Sequence, residues 1–243
     1  FLEEHPSCGM AFAKIYKMAE GRRKEFDDCG SWLTRSGFLF ARSGNSQLER
    51  GQYNTPVRCL ASKSATCAVR RSSWMASGGF DSTYYILGEE TDLAWRMWLQ
   101  GWEVWYVPTA IAWHAFGCES LKPKANHYTI ERTMTYGCRN YVSMLLTNCG
   151  MGRLCLTLPC CLCAWVFASA GFLARGDWRR SVAIMRGLYE VVCRLPQVLT
   201  KRRLVQSTRV ISDRELLRTI SHSPGFSYYL NRMWRYWVTQ LHG

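Results

Sequence analysis

Gly88-Glu89-Glu90-Thr91-Asp92-Leu93-Ala94-Trp95-Arg96-Met97-Trp98-Leu99-Gln100-Gly101, followed at once by Trp102-Glu103-Val104-Trp105-Tyr106-Val107-Pro108, is the stretch that decides the fold. Its first part reads as a helix from Glu89 to Gln100. Three acids crowd the first turn, where the positive end of the helix dipole favours them, and Asp92 and Arg96 form an i,i+4 pair. Leu93, Met97 and Leu99, with Trp95 and Trp98, supply the apolar faces, and Gly101 suits the C-cap. The residues from Trp102 to Val107 have strand composition and should stop at Pro108. A second short strand, Ala110 to Trp113, ends at His114. Helix, glycine, aromatic strand and a second strand make the αβ portion of a layered domain, so the fold class is α/β.

Upstream, Ser77-Gly78-Gly79-Phe80-Asp81 is a glycine turn. Val57–Leu60 and Cys67–Val69 read as short strand-like pieces, as does Gly37–Ala41 in the glycine-punctuated first sixty residues. The adjacent acids Asp27 and Asp28 are expected in a solvated turn. Downstream, a polar connection (Lys122 to His127) leads to a helix over roughly 128–147. Leu154 to Ala174 then runs 21 residues without a formal charge, about the 20 needed to cross a bilayer. Thr157, Pro159, Ser169 and Gly171 weaken that run, which leaves a span and a lipid-embedded hairpin both open. Val182, Met185, Leu188, Tyr189, Val192, Leu195 and Leu199 recur at helical spacing. They define a basic amphipathic helix over about 180–203, suited either to a membrane interface or to packing on its own domain. The division expected is therefore 1–127, a compact α/β part, and 128–243, a helical membrane-associated tail.

The chain has 243 residues, 48% hydrophobic and 20% charged, which excludes a disordered tail. Lys and Arg outnumber Asp and Glu 31 to 18, for a net charge of +13, and call for an anionic partner. Between Arg175 and Arg218 stand 11 basic and 4 acidic residues, directly after the most apolar run. That position favours an anionic membrane surface over nucleic acid, for which no recognised motif appears. No signal-peptide pattern opens the chain, so the cysteines are expected to be reduced, acting as small hydrophobes. Cys160-Cys161-Leu162-Cys163 contains a C-x-x-C but lacks the second pair or His that a zinc site needs.

Gly78-Gly79, the acids at 89–92 and His114 lie within forty residues of one another. Glycine lets backbone approach a ligand closely, carboxylates at a helix start lie at the rim of a sheet, and imidazole is a common metal ligand. Together Gly78-Gly79-Phe80-Asp81, Gly88-Glu89-Glu90-Thr91-Asp92-Leu93-Ala94-Trp95-Arg96, Gly101-Trp102, Val107-Pro108 and Trp113-His114 resemble the C-terminal half of family 2 glycosyltransferases. The pattern there reads roughly G-G-F-D, E-D-x-D-L-x-x-R, G, V-P and H. The opening Phe1–Pro6 resembles the helix that follows the nucleotide-binding half. Leu195-Pro196, Lys201–Arg203 and Ser212–Leu216 resemble the membrane-proximal tail of bacterial, rhamnosyltransferase-like members.

The resemblance implies the C-terminal part of a GT-A (Rossmann-like) domain and an inverting transfer from a nucleotide-sugar donor to a glycan or lipid-linked acceptor. Its setting would be cell-envelope glycan synthesis at the cytoplasmic face of the cell membrane. Glu90 matches the catalytic base, with Glu where the family more often has Asp. Glu89 and Asp92 match its flanking acids, and Gly78, Gly79 and Asp81 the donor and acceptor loop. Arg96 matches a further substrate-side position, and Trp102 is a candidate to stack on sugar or lipid, with packing in the core as the alternative. His114 matches the residue that helps hold a divalent metal, Mg²⁺ or Mn²⁺, on the diphosphate. No D-x-D precedes the glycine turn, and the chain begins at Phe1. The expectation is thus a chain that lacks the donor half and is inactive alone; the alternative is a non-catalytic membrane-surface or partner-binding remnant.

Overall fold

The computed structural model describes residues 1–18, 24–43, 47–115, 129–222 and 224–225. The division expected at 127/128 and the polar connection 122–127 fall outside them.

The fold is mixed α/β, built on β1 (Cys8–Lys17). This strand is buried along nearly its whole length, as its run of Met10, Phe12, Ala13 and Ile15 demands. Along one side it pairs in parallel with β7 (Glu103–His114), from Cys8 opposite Glu103 to Lys17 opposite His114. Along the other it pairs antiparallel with β2 (Phe26–Asp28) and with β6 (Cys67–Val69). β5 (Val57–Arg58) adds to the far side of β7, completing five strands. β3 (Ser31–Leu33) and β4 (Leu39–Ala41) form a separate hairpin.

Two expectations need correction here. The strand does not end at Pro108. β7 continues through to His114, and Pro108 falls in a bulge where Ala13 faces Val107 but Lys14 faces Ile111. Proline cannot donate to a ladder, and a bulge is a place where a strand tolerates that. Asp27 and Asp28 are not in a solvated turn; both lie in β2, with Asp28 buried.

Helices α1 (Arg71–Ser77) and α2 (Glu89–Leu99) follow, with a 3₁₀ turn at Ser82–Tyr84 between them. Beyond residue 129 come α3 (Ile130–Asn148), α4 (Met151–Leu173), α5 (Trp178–Cys193), α6 (Leu195–Ser207) and α7 (Asp213–Ile220). The basic stretch 180–203 is therefore two helices. Arg194 caps both, because Pro196 lacks an N–H and its ring clashes with the carbonyl four residues back. The opening Phe1–Pro6 is not helical; it folds as a turn, with Phe1 stacked on His5 at 3.9 Å. One hydrophobic core joins the sheet to the later helices, running from Met10, Phe12 and Trp95 to Val142, Leu145, Val205 and Leu216. All the described cysteines are free thiols, and Cys160 and Cys163 are exposed.

Candidate functional site

The glycine pair ends α1. Gly78 and Gly79 both take positive φ, 74° and 65°, and their N–H groups cap the carbonyls of Met75 and Trp74. A Cβ on Gly79 would stand 2.9 Å from the Trp74 ring, so the second glycine is required by packing as well. The chain then runs through Asp81, whose Oδ1 accepts from the Thr83 N–H at 2.8 Å, to Gly88 at the head of α2.

This turn is held from beneath by Asp92 and Arg96. Asp92 has 0% exposure and Arg96 6%. The Arg96 Nε donates to Asp92 Oδ2 at 2.9 Å, while its other nitrogens donate to the carbonyls of Ser77 and, at 2.8 Å, Gly79. Asp92 also accepts from Asn148 at 2.9 Å and from the Tyr84 hydroxyl at 3.3 Å. Lys201, on α6, bridges Asp92 at 2.8 Å and Asp81 at 2.6 Å, with its ammonium 4.8 Å from the Tyr84 ring centre. Burial alone would raise the Asp81 carboxyl, but the hydrogen bond and charge of Lys201 outweigh it and hold it below the usual range. On α3, Asn140 donates to the carbonyls of Tyr84, Ile86 and Leu87, and Arg139 to that of Thr83. These contacts fix a loop in which Tyr85 and Leu87 adopt positive φ. Sequence reading missed Lys201, Asn140, Asn148 and Arg139. A lone Lys in a basic helix and two Asn inside another carry no local signal.

Glu89 and Glu90 open α2. Burial, and next the negative charge of Glu89, push the Glu90 carboxyl up to about 7, and Asp28 adds to the shift. A helix N-terminus favours the ionised form by only about 0.3–1 kcal/mol, too little to reverse it. Among the described residues, the buried Oε2 of Glu89 has no hydrogen-bond partner. Asp28 spends its oxygens on the N–H groups of Gly30 and Lys63, at 2.7 and 3.1 Å. Its neighbour Asp27 meets the Lys63 ammonium at 2.5 Å and Nδ1 of His114 at 2.8 Å. Burial would raise Asp27, but these two partners hold it below the usual range.

The structure thus brings Gly78, Gly79, Asp81, Asp92 and Arg96 into one hydrogen-bonded unit, with Glu89 and Glu90 at the start of the same helix. Trp102 lies apart, past the far end of α2. Eleven residues span roughly 16 Å, and Trp102 packs on the core beside Gly9. His114 is set against Asp27. Among the described residues no group of three His, Cys, Asp or Glu side chains is placed to hold a metal. His114 and Asp27 alone do not make such a site, so no step is derived through a metal. A cleft of about 570 Å³ opens beside Asp81, lined by Thr83, Arg139, Asn140, Arg194 and Lys201 among others.

No family model matches the chain. Two curated relatives do, each an N-acetylglucosaminyl-diphospho-decaprenol L-rhamnosyltransferase of Mycobacterium tuberculosis, from strains CDC 1551 / Oshkosh and ATCC 25618 / H37Rv. Each is 35% identical over 68 residues, covering 28% of this chain and 22% of the relative. The chain thus matches less than a quarter of the length of these relatives. Among solved structures, GalNAc-T7 with UDP, GalNAc and Mn²⁺ aligns at 13% identity and a TM-score of 0.42, over 81% of this chain and 37% of that one. The motif run thus resembles that of family 2 glycosyltransferases, and 68 residues of the chain are similar to these rhamnosyltransferases.

Proposed function

We propose that the chain serves an inverting glycosyl transfer from a nucleotide sugar to a glycan or lipid-linked acceptor in cell-envelope synthesis, at the cytoplasmic face of the cell membrane. The observation that carries this reading is Glu90 at the head of α2: a carboxyl raised to about 7, beside Glu89, whose buried Oε2 has no partner among the described residues. A general base works best when its pKa lies near the working pH. In the proposed step, Glu90 takes the proton of the acceptor hydroxyl. That oxygen forms its bond to the anomeric carbon from the face opposite the diphosphate, and the breaking C–O bond leaves its electron pair on the nucleoside diphosphate. Glu89 tunes Glu90 through its charge. Gly78, Gly79 and Asp81 shape the acceptor side, and Asp92 and Arg96 position them from below without reaching the ligand. The relatives' match supports the reading for the 68 residues it covers.

The test is sugar transfer from UDP- and dTDP-sugars to a polyprenyl-diphosphate-linked acceptor, by a longer chain that supplies the donor-binding half. Transfer should fall at least about a hundredfold in Glu90→Gln, the scale of a lost general base, and should rise with pH toward a plateau above about 7 in the unsubstituted chain. Near-normal turnover in Glu90→Gln would sink the assignment. A second reading, a non-catalytic module that binds a partner or a membrane, is favoured by the match's reaching only 22% of the relatives. Transfer by the longer chain separates the two, since the module reading predicts none.

A further inference from the structure

We propose that α4 and α5 form a membrane-docking face that lies in the plane of an anionic bilayer and does not cross it. The inference rests on surface chemistry and is independent of the transfer reading.

On α5, Trp178, Val182, Met185, Tyr189 and Val192 point outward, with Trp178 59% and Tyr189 67% exposed. Their spacing of three and four places them on one stripe. The opposite face, with Ala183, Ile184, Gly187 and Val191, is buried against the protein. Gly187 sits so close to α3 that a Cβ there would clash with the Thr135 carbonyl, which leaves the helix no room to roll its stripe inward. Arg175, Arg179 and Arg186 flank the stripe, and Arg186 is 71% exposed even while paired with Glu190. α4 shows the same one-sidedness. Leu156, Val166, Phe167 and Leu173 are exposed, and so are Cys155, Cys160 and Cys163. An apolar face of this length, bordered by cations, is matched by acyl chains beneath anionic headgroups.

α4 is long and apolar enough to cross a membrane, with a mean hydropathy of 1.9. Its packing argues against that. Thr157 is wedged against Gly37 of the β3–β4 hairpin, and Ser169 meets Ser181 of α5 at 2.8 Å. Phe172, Ala168 and Trp165 pack in turn against the Ala183, Ile184 and Leu188 region, so α5 runs back along α4. A spanning α4 would therefore drag Arg179, Arg180, Arg186 and Glu190 into hydrocarbon, where charges are strongly disfavoured. An in-plane pose leaves them at the headgroups. It also sets α6 close to the lipid, with Leu195 and Leu199 exposed beside Pro196, Thr200 and Lys201, which line the cleft at Asp81.

The test is flotation of the full chain with vesicles. Binding is expected to phosphatidylcholine vesicles containing one-third phosphatidylglycerol. It should be weaker by at least about tenfold on pure phosphatidylcholine or at high salt. Val182→Glu with Tyr189→Glu, both at exposed sites, should abolish binding while circular dichroism and the unfolding midpoint stay unchanged. Should that pair misfold, Arg175→Gln with Arg179→Gln should still lower affinity for the anionic vesicles. Alkaline carbonate should strip the bound chain from the vesicles. Three results would overturn the proposal: resistance to carbonate, which marks a span; equal binding to neutral and anionic vesicles; or no binding to the anionic vesicles, where a doubled mass in sedimentation marks a second copy on this face.

Discussion

Glu89 and Glu90 begin the same helical turn, and burial makes it costly for both to be charged at once. The Glu90 pKa is higher folded than unfolded. Whatever stability the protonated carboxyl confers at low pH is thus lost as pH rises through about 7. Glu90→Gln removes that loss. It should raise unfolding stability at pH 8 by about 1–3 kcal/mol and leave it almost unchanged at pH 4, as read by urea titration. Substitution at Asp92 should destabilise instead. Asp92→Asn leaves the buried Arg96 without its counter-charge and should cost about 3–5 kcal/mol, lowering the unfolding midpoint sharply. A midpoint unchanged within error would show that Asp92 holds nothing in place. The sequence spacing put these acids on one helix but could not separate their settings. One faces a turn that collects Tyr84, Asn148 and Lys201 from three other elements, and no local pattern announces that meeting.

The elements divide by how local their causes are. Helix α2 was legible because its acids, apolar spacing and closing glycine lie inside thirteen residues. β5 and β6 were legible as short pieces, while the continuation of β7 past Pro108 depends on β1 as partner, 97 residues earlier. The break at Arg194 follows from Pro196, whose effect the helical periodicity masked. The join between α4 and the β3–β4 hairpin was invisible, being set by Gly37 at φ 87° with Thr157 against it. A Cβ at Gly37 would lie 2.8 Å from the Thr157 Cβ, in a backbone region that L-residues avoid. Gly37→Ala should therefore destabilise by about 1–3 kcal/mol, and thermal unfolding of the variant checks it.

At the scale of the whole molecule, the sheet and the later helices share one core, and Lys201 ties α6 to the turn at Asp81. Lys201→Met keeps the stem but removes the charge from between two carboxylates. It should cost about 1–3 kcal/mol and open the chain to trypsin at Arg202 and Arg203. Unaltered cleavage and an unaltered midpoint would show that the tie is idle. Charge and hydropathy along the chain announced a basic, apolar tail, but not that this tail reaches back to the candidate site.

That reach also orders events in time. Chains leave the ribosome at roughly 5–20 residues per second, and 109 residues separate Asp92 from Lys201. Once β7 has followed, the nascent chain has its long parallel strands but for about 4–17 s more lacks the lysine that neutralises Asp81. The turn at Asp81 is thus set only after α6 has emerged, and a ribosome stalled before Lys201 would hold a protein whose sheet is built while that turn is still untied.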